Sequence, residues 1–411
     1  MNRLIEWMTK TVQPKLNKVA HNPWIGSVQD GYMKSMGLIL IGSFSMLFIS
    51  FQAYLPSWFP DLTNLYYFSL GLLGLHLAYL IPSAVMEKKK HRKLAKQTGL
   101  IGLSVFLILI NPVFSEDGVN FTVEFTRMGG MGSLVSIVGG LLVAAVMNFS
   151  ANHPMFKEDS AMPDFIQAWF ETLIPGFVCI FAAYTLTFGL KFDVYNAINW
   201  LFQPLVNAGQ SFWGFVIMYG LGFTFIYSFG ISPWVIGGIS NTICYTASAQ
   251  NYALVAAGQA PVWINTNEVM LWCLIGGSGA TLSLSLMMLF AKSKKLKSIG
   301  KTCILPSICN INEPLVYGVP IAMNPILMIP FIASGFIIPA LVYLAFSLGF
   351  VPIPKYPSPF GLFAPFDSFY MSGFMGLILC IIVIVVSGLI FYPFFKMYDK
   401  QVLEEEQAQI K

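Results

Sequence analysis

Long apolar runs without a charged residue recur along the chain, and nothing else constrains its fold as much. Inside a bilayer, backbone amides and carbonyls find no water, so such a run crosses as a helix or is buried in protein. Charged residues are only 10% of the 411, against roughly 25% in a soluble domain. That excludes a soluble enzyme of ordinary composition. The runs are continuous and not alternating, which argues against a transmembrane β-barrel. The pattern predicts an all-α polytopic membrane protein, with its 35 Gly and 24 Pro placed in membrane helices and at their breaks. The formal charge of +4 is too small and too dispersed for nucleic-acid binding. The six Cys show no metal-ligand or disulfide spacing and read as small apolar packing residues.

Ten crossings are expected, near 36–55, 63–86, 98–113, 129–147, 165–190, 210–229, 235–257, 267–291, 321–347 and 371–393. Each is close to the ~20 residues that span the hydrocarbon core, although the third is short and the seventh weakly apolar. Residues 1–35 are polar, carry no signal-peptide pattern, and bend at Asn22-Pro23-Trp24. They read as an amphipathic helix on the membrane, leading into the first span. Basic residues concentrate in three segments: 1–35 with five, 87–96 with six and 292–301 with five of the 23 Lys and Arg. The positive-inside rule puts all three in the cytoplasm. Ten crossings satisfy that, with both termini cytoplasmic, if 302–320 enters the membrane and returns. That segment holds Pro306, Pro314, Gly318 and Pro320. Broken backbone at membrane depth is tolerated where it lines a cavity, so a re-entrant hairpin facing a site is the sharper reading, and a cytoplasmic surface loop the blander one. A soft boundary near 191–209 divides the chain into 1–200 and 201–395, with 396–411 as a cytoplasmic tail.

In a membrane protein the rare ionisable group is informative. Glu313 is the sole charge between Lys301 and Lys355, and Glu268 the sole one between Asp193 and Lys292. Glu313 stands beside Asn310 and Asn312. A carboxylate accepts hydroxyls, and amides both donate and accept, so the cluster suits an uncharged polyol. Glu268, after Asn265-Thr266-Asn267, reads equally well as a helix-dipole partner. Trp234, next to the break Ser232-Pro233, offers a face for sugar stacking, while most other Trp and Tyr read as interface anchors. Gly300-Lys301-Thr302 fails as a phosphate loop because Lys295 stands where a glycine is required. No metal-ligand cluster, cofactor motif or chain of intramembrane carboxylates and His is visible, which argues against proton-coupled transport.

The run Asn310-Ile311-Asn312-Glu313-Pro314-Leu315-Val316-Tyr317-Gly318-Val319-Pro320, ending in Asn324-Pro325, resembles the signature of sugar phosphotransferase permeases. It is most similar to the enzyme IIC component of the lactose/cellobiose family. Ile275-Gly276-Gly277-Ser278-Gly279-Ala280-Thr281-Leu282, Met162-Pro163-Asp164, Phe229-Gly230-Ile231, Asp30-Gly31-Tyr32 and Ile41-Gly42-Ser43-Phe44 extend the likeness over nearly the whole chain. The resemblance implies a homodimeric permease of about ten spans with re-entrant hairpins in the bacterial cell membrane. Residues 1–200 would form the dimer scaffold. Residues 201–395 would hold the sugar and move as an elevator. A separate enzyme IIB, charged by enzyme IIA through a phosphocysteine, would phosphorylate the sugar inside. No soluble IIA or IIB extension is visible.

Two positions depart from the family pattern. Ser232 stands where a His usually follows Phe-Gly-Ile. Tyr356-Pro357-Ser358-Pro359 is the nearest match to a Trp-Thr-x-Pro element before the last span. The expected sugar-binding residues are therefore Glu313, Asn312, Asn310, Ser232, Trp234 and Tyr356, with the sugar, a cellobiose- or chitobiose-like disaccharide among others, left open. A secondary transporter without phosphorylation and a permease-like sensor remain the alternatives; a phosphorylated intracellular product separates them from the leading reading.

Overall fold

The computed structural model describes residues 22–50, 56, 58–153, 163–230, 233–319, 321–322, 324–358 and 363–410. Among the described residues, six helical stretches are long and apolar enough to cross a membrane: Thr63–Lys88, Gly130–Ala151, Trp169–Gly189, Phe212–Phe229, Ile326–Ser347 and Ala364–Ala408. Contacts divide the chain into two units. Among the described residues, one holds 22–206 with 237–250, and the other 207–236 with 251–410.

The first unit is built from α1 (Pro23–Ser50), α2 (Leu73–Lys88), α3 (Arg92–Leu109), α4 (Ser133–Ala151), α5 (Asp164–Tyr184) and most of α6 (Val194–Gln210). Of the expected surface helix over 1–35, residues 1–21 lie outside the described residues, and 23–35 instead belong to α1, which runs on without a break at 36. Asn22 Oδ1 accepts the Trp24 amide at 2.9 Å, and Pro23 opens α1, where its missing N–H costs nothing. Small residues let α2, α3 and α4 approach. A Cβ on Gly102 would stand 2.5 Å from the Ala78 carbonyl, and one on Gly140 3.0 Å from Pro82. Arg127 staples the loop side. Its Nε reaches Glu124 at 3.2 Å, its Nη1 donates to the Ile110 carbonyl at 3.3 Å, and its guanidinium lies 4.4 Å from the Tyr195 ring centroid. The Thr126 hydroxyl, with Arg127 beside it, holds the Glu124 carboxyl below its ordinary range. One feature departs from an all-helical chain: β1 (Val113–Phe114) pairs antiparallel with β2 (Phe121–Thr122). The cause is local, an Asp117-Gly118 turn. Asp117 accepts the Ser115 hydroxyl and the Val119 amide, and Gly118 takes φ +67°. Residues 237–250 of α8 (Gly237–Ala256) group with this unit; Tyr245 stacks on Tyr32 at 5.8 Å, and Thr242 bonds its hydroxyl at 3.2 Å.

The second unit is helical but repeatedly broken. α7 (Phe212–Ile217) passes into a π-helical stretch, Met218–Phe225, of the kind that often borders functional sites. The expected single span 267–291 is not one helix: α9 (Met270–Cys273) and α10 (Leu282–Leu289) are separated by a turn. The reason is its backbone. Gly276, Gly277, Gly279 and Ala280 have φ of +79°, +98°, +75° and +53°, which a right-handed helix cannot contain. α11 (Lys294–Ile308) then ends in a second turn, and α12 (Glu313–Gly318) starts with Pro314 in its first turn. α13 (Pro325–Ser347) and α14 (Ala364–Ile410) complete the unit. α14 is longer than the expected span 371–393. It kinks at Ser372 and Gly373, and it carries the expected tail as helix. Trp272, fully buried, donates Nε1 to the Gly376 carbonyl at 3.0 Å and packs edge-on against Phe346, fixing α9 to the kinked end of α14.

Candidate functional site

The two turns of the second unit are tied tip to tip by the asparagines of the Asn-Ile-Asn-Glu-Pro run. Asn310, itself at φ +62°, accepts the Gly276 amide on Oδ1 at 2.9 Å. Buried Asn312 donates Nδ2 to the Ser278 carbonyl at 2.8 Å and to Thr281 Oγ1 at 2.9 Å. Thr281 in turn donates to the Gly276 carbonyl at 2.7 Å. Ser334 and Ser387 donate to the Gly279 and Ala280 carbonyls at 2.7 and 2.6 Å. A buried glycine turn leaves its carbonyls without helical partners, and these hydroxyls and amides replace them. Gly277 is forced by proximity as well as by φ: a Cβ there would lie 2.3 Å from Asn312 Cγ.

This network decides which groups remain for a ligand. Asn310 and Asn312 each use one end of the amide on the glycine turn. Asn310 Nδ2 and Asn312 Oδ1 have no hydrogen-bond partner among the described residues. Glu313, the first residue of α12, has an exposed side chain and forms no ion pair or hydrogen bond among them. A backbone amide bond from Val316 to the Asn312 carbonyl, 2.8 Å, closes the first turn and fixes where the carboxylate emerges.

Beside Glu313 lies a residue that sequence reasoning did not single out. Tyr227 falls within electrostatic reach of it, and its ring packs edge-on against Tyr317 at 5.9 Å and Phe331 at 6.0 Å. Its hydroxyl is buried with no well-aligned hydrogen-bond partner among the described residues. The signal was available: Tyr227 sits in the helical break before Gly230, which takes φ +76°. Of the other expected residues, Ser232 lies outside the described residues. Trp234 belongs to the 3₁₀ turn Pro233–Ile236, with its side chain outside the description. Tyr356 is exposed on the segment 349–358, and no hydrogen bond or ring contact among the described residues joins it to the Glu313 cluster.

At the far end of α14, two carboxylates grip the start of α11. Asp399 accepts the Lys292 and Ser293 amides, both at 2.9 Å. Glu406 accepts the Ser293 hydroxyl at 2.8 Å and the Lys295 amide at 2.7 Å. These bonds satisfy donors that every helix N-terminus leaves free. Lys292, Lys294, Lys295, Lys297 and Lys301 remain exposed around them.

Comparison with known proteins places this arrangement. A family model described as "Phosphotransferase system, EIIC" matches residues 29–335. The lichenan permease IIC component of Bacillus subtilis (strain 168) is 30% identical, over 99% of this chain and 96% of its own. A lactose-specific EIICB component of Staphylococcus haemolyticus (strain JCSC1435) is also 30% identical, over 99% of this chain and 73% of its own. Among solved structures, the transporter ChbC, the IIC component of an N,N'-diacetylchitobiose-specific phosphotransferase system, superposes with a TM-score of 0.85. It shares 27% identity over 98% of this chain and 99% of that one.

Proposed function

Because the chain belongs to the EIIC family of phosphotransferase sugar permeases, a multi-pass membrane family, we propose that it carries a β-linked disaccharide or close analogue inward, with Glu313 as the principal acceptor for sugar hydroxyls. The observation that carries the assignment of the site is the unequal use of the Asn-Ile-Asn-Glu-Pro polar groups. The two asparagines hold the glycine turn, while the carboxylate is left free at the meeting point of two broken segments. Asn310 Nδ2 and Asn312 Oδ1 add a donor and an acceptor for the same sugar. Tyr227 and Tyr317 supply ring faces beside them. Trp234, Ser232 and Tyr356 complete the site when loop and break close on the ligand. The names of two relatives, lactose and N,N'-diacetylchitobiose, support the disaccharide class.

In this reading the turn 309–312 is the tip of a re-entrant hairpin while 267–291 crosses as a broken helix, about ten crossings put both termini in the cytoplasm, and the first unit is the scaffold of a homodimer. The second unit moves as an elevator. The partner is an enzyme IIB supplied by IIA; relatives named EIICB support such a pairing. The exposed lysines of 292–301 face it. The product decides the coupling. Cells expressing the protein with its IIB should accumulate a phosphorylated disaccharide, and free sugar inside them would instead favour a non-phosphorylating transporter.

A further inference from the structure

α11 leads from the lysine-bearing loop to the turn 309–312, yet little apolar packing fixes where it lies. Its buried stripe is Leu296, Gly300, Cys303 and Ser307, only one of them a large apolar side chain. Hydrophobic burial is also non-directional, so so thin a stripe sets no register along the helix. The other face is exposed at Lys297, Lys301 and Leu305. A helix of 15 residues, about 22 Å long, therefore takes its position from polar ties at its two ends. At the far end these are Ser307 Oγ on Ser285 Oγ at 2.6 Å, Asn310 on the Gly276 amide and Asn312 on the Ser278 carbonyl.

At the near end the ties come from α14. Every amide from Lys292 to Leu296 is bonded, and Ser293 Oγ caps only that of Leu296, at 3.1 Å. Asp399 takes the amides of Lys292 and Ser293, and Glu406 those of Lys294, at 3.2 Å, and Lys295. These acceptors stand 106 to 113 residues downstream. A local capping box would satisfy the start of the helix from within α11, but Leu296 stands where that box needs Glu or Gln. A local cap also leaves a helix free to shift, whereas a cap borrowed from α14 pins α11 to α14. The packing continues the link. Phe391, Phe395 and Val402 of α14 share one buried cluster with Leu296 of α11 and with Leu315 and Val316 of α12. Leu315 and Val316 follow Glu313 by two and three positions.

We propose that Asp399 and Glu406 are positioning residues for Glu313. By pinning α11 to α14 they fix the turn 309–312 and the direction in which the carboxylate leaves α12. They act from the other end of α11, about 22 Å from that turn. The effect on sugar rests on the assignment of Glu313 made above; the positioning does not.

Hydrogen exchange of segment 309–318 in the full chain, held in lipid nanodiscs without sugar, tests the positioning. Glu406 is half-buried, so water takes over its amides in Glu406→Ala and the fold survives. This variant should quicken exchange of 309–318 by about three- to tenfold, the worth of one net hydrogen bond, and leave 330–345 at the wild-type rate. Asp399→Asn, which turns a donor toward an amide, should quicken the same segment. Glu406→Gln can still accept the Ser293 hydroxyl and the Lys295 amide on Oε1 and should restore the wild-type rate. Exchange of 309–318 at the wild-type rate in Glu406→Ala or Asp399→Asn overturns the proposal. So does Glu406→Gln behaving as the alanine variant, since the charge and not the grip would then matter. Should Glu406→Ala fail to fold, Glu406→Asp, one methylene too short to reach, is read in its place. Titration with lactose or N,N'-diacetylchitobiose separates this from the sugar assignment. Affinity should fall by a similar factor in Glu406→Ala, and the two losses should not add when Glu313→Gln is combined with it. Quickened exchange with wild-type affinity upholds the positioning and removes Glu313 from the sugar site.

Discussion

The two units use glycine for opposite purposes. In the first, Gly102 and Gly140 sit inside unbroken helices and remove side chains so that α2, α3 and α4 can touch. In the second, Gly276, Gly277 and Gly279 take left-handed backbone that ends one helix before the next begins. The first arrangement leaves the backbone saturated by its own helical bonds. The second frees backbone carbonyls and must recruit Asn312, Ser334 and Ser387 to satisfy them. Polar side chains are thereby drawn into apolar surroundings, which is where a polyol can be recognised. A membrane protein can separate scaffold from chemistry by breaking its helices in one unit and keeping them whole in the other.

That contrast breaks most visibly at Gly277. Gly277→Ala places a Cβ 2.3 Å from Asn312 Cγ at φ +98°. The left-handed backbone alone costs about 1 kcal/mol or more, and displacement of Asn312 adds to it. Thermal unfolding in detergent should show a large loss of stability, and residual folded protein should bind no sugar. Gly140→Ala, by comparison, meets Pro82 at 3.0 Å from within a helix. It should cost less, and the protein that survives should bind sugar with wild-type affinity.

Asn312→Ala sharpens the same comparison at the side chain. It strands the Ser278 carbonyl in a buried place and removes the donor to Thr281 Oγ1, and an unmade buried hydrogen bond costs about 1–3 kcal/mol. The melting temperature should fall and sugar affinity should fall with it, since Glu313 is the next residue. A melting temperature equal to wild type would show that the turns do not depend on this tie.

Much of this was legible in the sequence, and the exceptions have physical causes. Helices at 63–86, 129–147, 210–229 and 321–347 followed from apolar runs of bilayer length, a strong signal needing no partner. The break inside 267–291 was not read, because hydropathy averages over Gly276-Gly277-Ser278-Gly279 and does not register the sign of φ. The local prolines of 302–320 did announce their turn. Glu313 stood out as a lone charge. The commitment of Asn310 and Asn312 to a turn 34 residues away did not, since that contact exists only after folding. Tyr227, which only folding brings near Glu313, was hidden for the same reason.

A smaller effect is expected at the lysine-bearing start of α11, where the second unit is again regular helix. Replacing Lys294, Lys295 and Lys297 with Gln leaves the grip of Asp399 and Glu406 in place, because both carboxylates bond backbone amides and the Ser293 hydroxyl. Sugar binding should be unchanged. Phosphorylation by IIB should slow severalfold at low salt and approach the wild-type rate at high salt, as exposed charges are screened. A deficit that persists at high salt would point to a fold defect in α11.

The central claim is that Glu313 is left free for the sugar while its neighbours build the turn. Glu313→Gln keeps the volume and removes the charge, and a hydrogen bond to a charged group is worth roughly 1.5–3 kcal/mol. Calorimetric titration of purified Glu313→Gln with the preferred disaccharide should show affinity weakened by about ten- to a hundredfold, with an unchanged melting temperature in the absence of sugar. Wild-type affinity in that variant, or a collapse of its stability without sugar, would contradict the account.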